Sequence, residues 1–286
     1  MDSHIDEHII EAAGRCRVVV RDGKVVEVGR PLITDCPLAR RFAYPVTEMK
    51  PEAIKKNVQN RIDDFGMCTP HRQLTSQEVF VGFGASEIVS TSLKSRFIDA
   101  AVMACDGAGT VIVTRPDMAQ GIGGRMSGLV STTPIPEVIK RIEEDGGMVA
   151  DPVHASLDPL TGVHLAKKAG LEHLVVTISN PEDARSVREY DPDAIIIAVH
   201  TTGYSEYDAQ VVRAYADIVT ACASKTVRDI CGPHALLQAG SAIPVYALTP
   251  SGKHLLILRM AAIHDPLYVV HSDLPVRGEK GPSPLI

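Results

Sequence analysis

Several short apolar runs in this chain end on residues whose side chains can do chemistry. Five such residues follow three of the runs: Cys105 and Asp106, then His200, then Cys222 and Lys225. A thiol becomes a nucleophile or an acid/base group when a nearby carboxylate, imidazole or ammonium group activates it. These five residues are therefore the candidate catalytic residues. Two opposed thiols are also what a cofactor-independent racemase uses, so an isomerase fits Cys105 and Cys222.

The cysteines also fit a metal site. The chain has six cysteines and no CxxC pair, so the spacing of zinc ribbons and ferredoxins is not present. Four cysteines could instead converge on one centre from separate irregular segments: Cys36, Cys68, Cys105 and Cys222. Thiolates bind soft metals and iron–sulfur clusters. The competing interpretation is that these thiols are packed in the core, because cysteine is among the most buried residue types.

A glycine-rich segment around Arg125 is the candidate site for an anion. Gly121, Gly123 and Gly124 precede this arginine, and glycines leave backbone N–H groups free to approach an anionic ligand. The competing interpretation is that these glycines only form tight turns. The segment lacks the Lys-Ser/Thr pair of a Walker loop, so it does not indicate a nucleotide site.

The composition limits the class of protein. With 286 residues, the chain is long enough for one large α/β domain or two small ones. A net charge of −6 and a pI near 6.0 argue against a nucleic-acid surface. No run approaches the roughly 18 apolar residues of a membrane span, and the polar start of the chain is unlike a signal peptide. We expect a cytoplasmic protein with reduced cysteines, and neither nucleic acid nor membrane as a partner.

Periodicity and turn residues predict the elements that position these side chains. In the first part of the chain we predict a helix at 5–13 and a hairpin that turns at Asp22-Gly23. A second helix is predicted from Pro51 to a stop at Gly66. We take residues 1–72 as a small N-terminal α+β portion.

Further along, short apolar runs alternate with amphipathic segments. The predicted strands lie at 79–83, 100–104, 110–114, 173–178, 194–199, 217–221 and 243–248. The predicted helices lie at 87–97, 135–145, 160–169, 181–190, 205–216 and 252–263. This alternation predicts an α/β fold, with a mostly parallel sheet and flanking helices, open or closed into a barrel. The α/β domain spans 73–272, and a loosely held tail follows at 273–286.

The predicted sheet would bring the candidate catalytic residues together. Ligands of parallel α/β folds bind at the carboxyl ends of the strands. Because Cys105, His200 and Cys222 each directly follow an apolar run, we expect all three at one edge of the sheet.

Seven segments carry a likeness to a known family. They are FGMCTP (65–70), VGFGASEI (81–88), AAVMACDGAGTVIVT (100–114), QGIGGRMSGL (120–129), IPEVIKRIEEDGG (135–147), AVHTTG (198–203) and DIVTACASK (217–225). Together with the hairpin, they resemble the methanogenesis marker protein 8 family of methanogenic archaea, over about residues 8–262. The resemblance implies a reducing cytoplasm and a role in methanogenesis beside other proteins of that process. It supplies no catalytic residues.

Three functions stay open from the sequence. The first is a methanogenesis-associated accessory protein that holds a thiolate-ligated metal or iron–sulfur cluster, to mature or protect a redox enzyme. The second is a cysteine-dependent enzyme, of isomerase or transferase type, acting on a small anionic metabolite. The third is a non-catalytic scaffold of an assembly complex. The cofactor, if one is bound, is an iron–sulfur cluster or another thiolate-bound metal.

Overall fold

The computed structural model describes residues 6–126, 128–278 and 280–286. Within them, the chain forms two sheets, with helices packed on the larger one. The strands are β1 (Glu7–Ala12), β2 (Cys16–Arg21), β3 (Lys24–Val28), β4 (Ala100–Cys105), β5 (Gly109–Val113), β6 (Gly128–Thr132), β7 (Met148–Val149), β8 (Leu174–Ile178), β9 (Ile195–Ala198), β10 (Ile218–Thr220), β11 (Leu237–Ala239) and β12 (Val245–Ala247). The predicted α/β fold class is confirmed.

The α-helices connect these strands and follow the predicted positions over most of the chain. They are α1 (Pro51–Phe65), α2 (Ala85–Lys94), α3 (Pro116–Gly123), α4 (Pro136–Glu144), α5 (Pro159–Lys168), α6 (Pro181–Tyr190), α7 (Glu206–Tyr215), α8 (Lys225–Ile230) and α9 (Pro250–Ala261). Six of them begin with proline, whose fixed φ and missing N–H suit the first helical position. α7 begins instead with a capping box between Ser205 and Asp208.

The smaller sheet is antiparallel, in the order β3-β2-β1-β6. Asp22 and Gly23 join β2 to β3, and both have positive φ values, 48° and 69°. A two-residue hairpin turn requires this conformation, so the predicted hairpin is confirmed. The buried face of the sheet packs on α1 through Ile54, Val58 and Ile62.

The larger sheet is open, in the order β11-β12-β10-β9-β8-β4-β5-β7. Its four central strands, β10, β9, β8 and β4, are parallel to their neighbours within the group. The outer strands are antiparallel to their neighbours. One face of the sheet packs on α2, α3, α4 and α9, and the other packs on α5 to α8. The predicted sheet is therefore present as a mixed sheet with a parallel centre, and it does not close into a barrel.

Two local predictions in the first hundred residues are wrong. The segment predicted as a helix at 5–13 is β1, because His8, Ile10 and Ala12 face the core with the two-residue period of a strand; Ile5 lies outside the described residues. The segment at 79–83 forms no strand. The N–H groups of Phe80 and Val81 donate to the carboxylate of Glu87 instead of to a neighbouring strand.

The first part of the glycine-rich segment before Arg125 is helical and does not form a series of tight turns. Gly121 and Gly123 lie inside α3, and Gly124 ends it with its N–H donating to Gln120 O at 2.9 Å. Helix α3 needs glycine at position 121 because it passes very close to another part of the backbone. A Cβ there would lie 2.4 Å from Leu74 O. Close packing, and not a turn, accounts for this glycine.

Several contacts join the three predicted parts of the chain, 1–72, 73–272 and 273–286. β6 comes from the second predicted domain but pairs with β1 of the first. In the segment predicted as a loose tail, the N–H of Ser283 donates to Asp35 O at 3.0 Å, and the N–H of Ile286 donates to Ala223 O at 2.9 Å. The last residues are thus hydrogen-bonded to the segment that follows β3 of the smaller sheet and to the segment that follows β10 of the larger sheet.

Candidate functional site

The parallel strands place three predicted site residues at one edge of the larger sheet. Cys105 ends β4, His200 follows β9 and Cys222 follows β10. These strands run in the same direction, so the prediction of a shared carboxyl edge is confirmed. β4 and β10 are three strand positions apart, which corresponds to about 14 Å. Cys105 and Cys222 therefore belong to two separate clusters on that edge.

The smaller sheet covers this edge. A Cβ on Gly128 of β6 would lie 3.5 Å from Cγ of His200 and 3.3 Å from Cβ of Glu11. Beside it, Nη1 of Arg15 donates to Thr202 O at 2.8 Å. The candidate site therefore lies between two sheets, where ligand sites are often found.

The first cluster contains a fully buried ion pair. Nε of Arg72 donates to Oδ1 of Asp106 at 2.9 Å, and neither side chain is exposed to solvent. The other carboxylate oxygen accepts the N–H of Cys68 at 2.5 Å. Burial by itself would raise the pKa of Asp106, but the Arg72 charge and the Cys68 N–H outweigh it and hold that pKa below its usual value. Asp106 is thus an ionised anchor with both oxygens occupied.

Arg72 also joins this pair to α3. Its guanidinium donates to the carbonyl oxygens of Gly121 and Ile122, at 3.2 and 3.1 Å, near the carboxyl end of the helix. A cation at this end is favourable because the helix dipole is negative there. The same polarity disfavours an anion near Gly121, Gly123 and Gly124. The predicted anion site stays a prediction, and the geometry does not support it.

The thiols of this cluster are enclosed by the protein. Cys68 and Cys105 are fully buried. Burial, together with the charge of Asp106, raises the pKa of both thiols well above the usual range. The thiolate is the reactive form. The arrangement therefore does not support the predicted activation of Cys105 by Asp106.

The second cluster centres on the half-buried Cys222. Its φ is 44°, and that of the neighbouring edge residue His200 is 56°. Residues other than glycine rarely adopt a positive φ, so the surrounding structure must hold both residues in this backbone conformation. Burial raises the pKa of the Cys222 thiol, while the nearby Thr201 and the backbone N–H of His200 lower it.

Two further titratable side chains belong to the second cluster. Cys36 lies close enough that its ionised form would raise the pKa of Cys222. His200 is half-buried, and burial lowers its pKa, although the charge of Glu11 opposes this effect. A lowered pKa favours the neutral imidazole, which is the form that can accept a proton. Lys225, in contrast, is exposed and forms an ion pair with Asp229 at 2.7 Å.

The sequence matches one described protein family along most of its length. Residues 8–261 match a family described as an uncharacterized protein conserved in archaea, DUF2099. An uncharacterized protein of Methanocaldococcus jannaschii is 39% identical over 285 residues, which is 99% of this chain and 100% of that relative. The chain is a member of the DUF2099 family.

The structure of this DUF2099 protein separates the four cysteines predicted to bind a metal. Cys68 and Cys105 belong to the first cluster, and Cys36 and Cys222 to the second. In the described residues, no group of three or more His, Cys, Asp or Glu side chains is placed to hold a metal ion. Nor does any helix of the described ranges have the length and apolar character needed to cross a membrane.

Arg125 of the DUF2099 chain is committed to local contacts. Its guanidinium lies 4.0 Å from the centre of the Phe65 ring and donates to Oε1 of Gln73 at 2.6 Å. It also lies 3.5 Å from a carboxylate oxygen of Glu78. An arginine with these partners fixes the end of α3 to α1, and its predicted contact with an anion remains untested.

Three residues that the sequence did not single out define the interface between the sheets. Arg72 is the first. The other two are His8 and Thr132, which face each other across β1 and β6, with Nδ1 2.5 Å from Oγ1. Oγ1 of Thr132 also accepts the N–H of Gly107 at 2.8 Å, next to Asp106. Apart from the antiparallel register, no sequence pattern signals these contacts.

Proposed function

We propose that this DUF2099 protein is a cysteine-dependent enzyme acting on a small metabolite, with Cys222 as the reactive thiol. The observation that carries the proposal is the environment of Cys222. The thiol is half-buried at the carboxyl edge of a parallel sheet, lies near Thr201 and the backbone N–H of His200, and sits on a strained backbone. Strained backbone positions cluster at functional sites.

In this proposal, His200 accepts the proton of Cys222. Because burial raises the pKa of the thiol, Cys222 is mainly protonated at neutral pH and needs a base. His200 follows the strand next to that of Cys222, and burial favours the neutral form of its imidazole. Glu11, on the covering sheet, favours the imidazolium that results. Cys36 supplies a second thiol beside the first, as an isomerase that uses two thiols requires.

We place this activity in methanogenesis. Membership of an archaeal family and the likeness to the methanogenesis marker protein 8 family support a role in methanogenesis, in a reducing cytoplasm. Such a compartment keeps Cys36 and Cys222 as thiols. A thiolate-ligated metal centre is the weaker candidate, because each cluster offers two cysteines whereas an iron–sulfur cluster usually takes four.

Site-resolved alkylation tests the proposal. Protein purified without oxygen would be treated with iodoacetamide, and the rate at each cysteine followed by mass spectrometry. We expect Cys222 to react fastest, and Cys68, Cys105 and Cys231 to react only after unfolding. The pKa of Cys231 is raised by burial to about 12, which makes it the internal standard for an inert thiol. A Cys222 as slow as Cys231 would refute the proposal, and stoichiometric iron or zinc would favour the metal centre.

A further inference from the structure

Arg228 lies directly behind Cys222. Its Nη2 donates to the backbone oxygen of Cys222 at 2.6 Å and to Ala242 O at 3.2 Å. The residue is half-buried on α8, and its Nε is shielded from solvent without a hydrogen-bond partner. A buried donor left unsatisfied is costly, and a native structure rarely keeps one without a reason.

The charge of Arg228 is also uncompensated. Among the described residues, no carboxylate lies within ion-pair distance of it, whereas the adjacent Asp229 is bonded to Lys225 at 2.7 Å and to Arg277 at 3.2 Å. Lys225 and Arg277 thus share the carboxylate of Asp229, and Arg228 adds a third positive charge beside them, although the whole chain carries a net charge of −6. A positive corner in an acidic protein attracts anions.

We infer that Arg228 binds the anionic group of the substrate, a carboxylate or a phosphate, while Cys222 acts on the atom next to it. This inference rests on the proposed function of Cys222. Arginine suits the task because its guanidinium stays charged at neutral pH and pairs well with carboxylate and phosphate oxygens. The negative charge of an ionised Cys222 would also stabilise the positive charge of Arg228. The substrate class is thus a small metabolite with an anionic group near its reactive carbon.

Two alkylating reagents test this assignment without a known substrate. Iodoacetate and iodoacetamide both react by sulfur displacing iodide, but only iodoacetate carries a carboxylate. The measured quantity is the ratio of their rates at Cys222. In Arg228→Gln we expect this ratio to fall at least about tenfold, as loss of a charge-assisted hydrogen bond implies. The iodoacetamide rate is the reference in this ratio, so a change in the reactivity of the thiol itself cancels. Arg228→Lys should recover part of the ratio.

The control is Arg277→Gln, which also removes one positive charge from this corner, but from a side chain that is 79% exposed. The ratio of the two alkylation rates at Cys222 should change little in this variant. Inorganic phosphate should also slow iodoacetamide at Cys222 in the unaltered protein, relative to sodium chloride of equal ionic strength, and this measurement requires no variant. An unchanged ratio in a folded Arg228→Gln protein, or absence of phosphate protection, would overturn the inference and leave Cys222 reactive. If Cys222 reacts with neither reagent, the proposed function fails, and the inference fails with it.

Discussion

The guanidinium of Arg72 and the carboxylate of Asp106 form an ion pair with Nε 2.9 Å from Oδ1, and both side chains are completely buried. The pair joins the segment after α1 to the end of β4. Through Arg72 it also reaches the carboxyl end of α3. The pair therefore fixes α1, the helix that packs on the smaller sheet, to the carboxyl edge of the larger sheet, where Cys222 also lies.

Replacing Asp106 with asparagine should destabilise the protein strongly. The substitution leaves the buried charge of Arg72 without its counterion, and breaking a buried pair in this way typically costs about 3–5 kcal/mol. Urea unfolding followed by circular dichroism measures the change. Asp145→Asn is the matched control, because Asp145 pairs with Arg115 at a surface where both side chains are 43% exposed. Equal effects of the two substitutions would contradict a structural role for the buried pair.

The contribution of Asp106 to stability should depend on pH in a definite direction. Its pKa in the folded protein is below its ordinary value of about 3.9. The stabilisation is therefore complete above that ordinary value and is lost as the pH falls through the folded-state pKa. The difference in unfolding free energy between the unaltered protein and Asp106→Asn should narrow below about pH 4. A difference that grows on acidification would show that Asp106 is protonated when folded.

The backbone at Cys222 should favour glycine over alanine. An L-residue in the left-handed region costs about 1–2 kcal/mol, and the φ of Cys222 is 44°. Glycine avoids that cost but loses more chain entropy, about 0.5–1 kcal/mol. We expect Cys222→Gly to be more stable than Cys222→Ala in urea unfolding. At Cys231, whose φ of −87° is ordinary, the order should reverse. The same order at both positions would argue against strain at Cys222.

Local patterns predicted much of this fold. Apolar runs such as 194–199 marked buried parallel strands, and their ends placed Cys105, His200 and Cys222 on one edge. Proline and glycine marked the ends of α1. These features depend on neighbours in the chain, so they can be read from it directly.

What the sequence did not predict depends on contacts between distant residues. Arg72 and Asp106 are 34 positions apart, and no spacing connects them. Gly121 resembles a loop residue until the backbone of Leu74 is placed against it. The isoleucines of β1 fit the period of a helix as well as that of a strand. Only the pairing of β1 with β2 and β6 decides between the two.

The pH dependence of Cys222 alkylation tests the central claim most directly. The rate constant with iodoacetamide would be measured from pH 5 to 10 for the unaltered protein and for His200→Gln, with circular dichroism to confirm folding. If His200 is the base, the unaltered protein should keep a high rate near pH 7. The rate of His200→Gln should fall about tenfold for each pH unit below the raised pKa of the thiol, since only the thiolate then reacts. Superimposable profiles for the two proteins would contradict the claim that this edge activates Cys222.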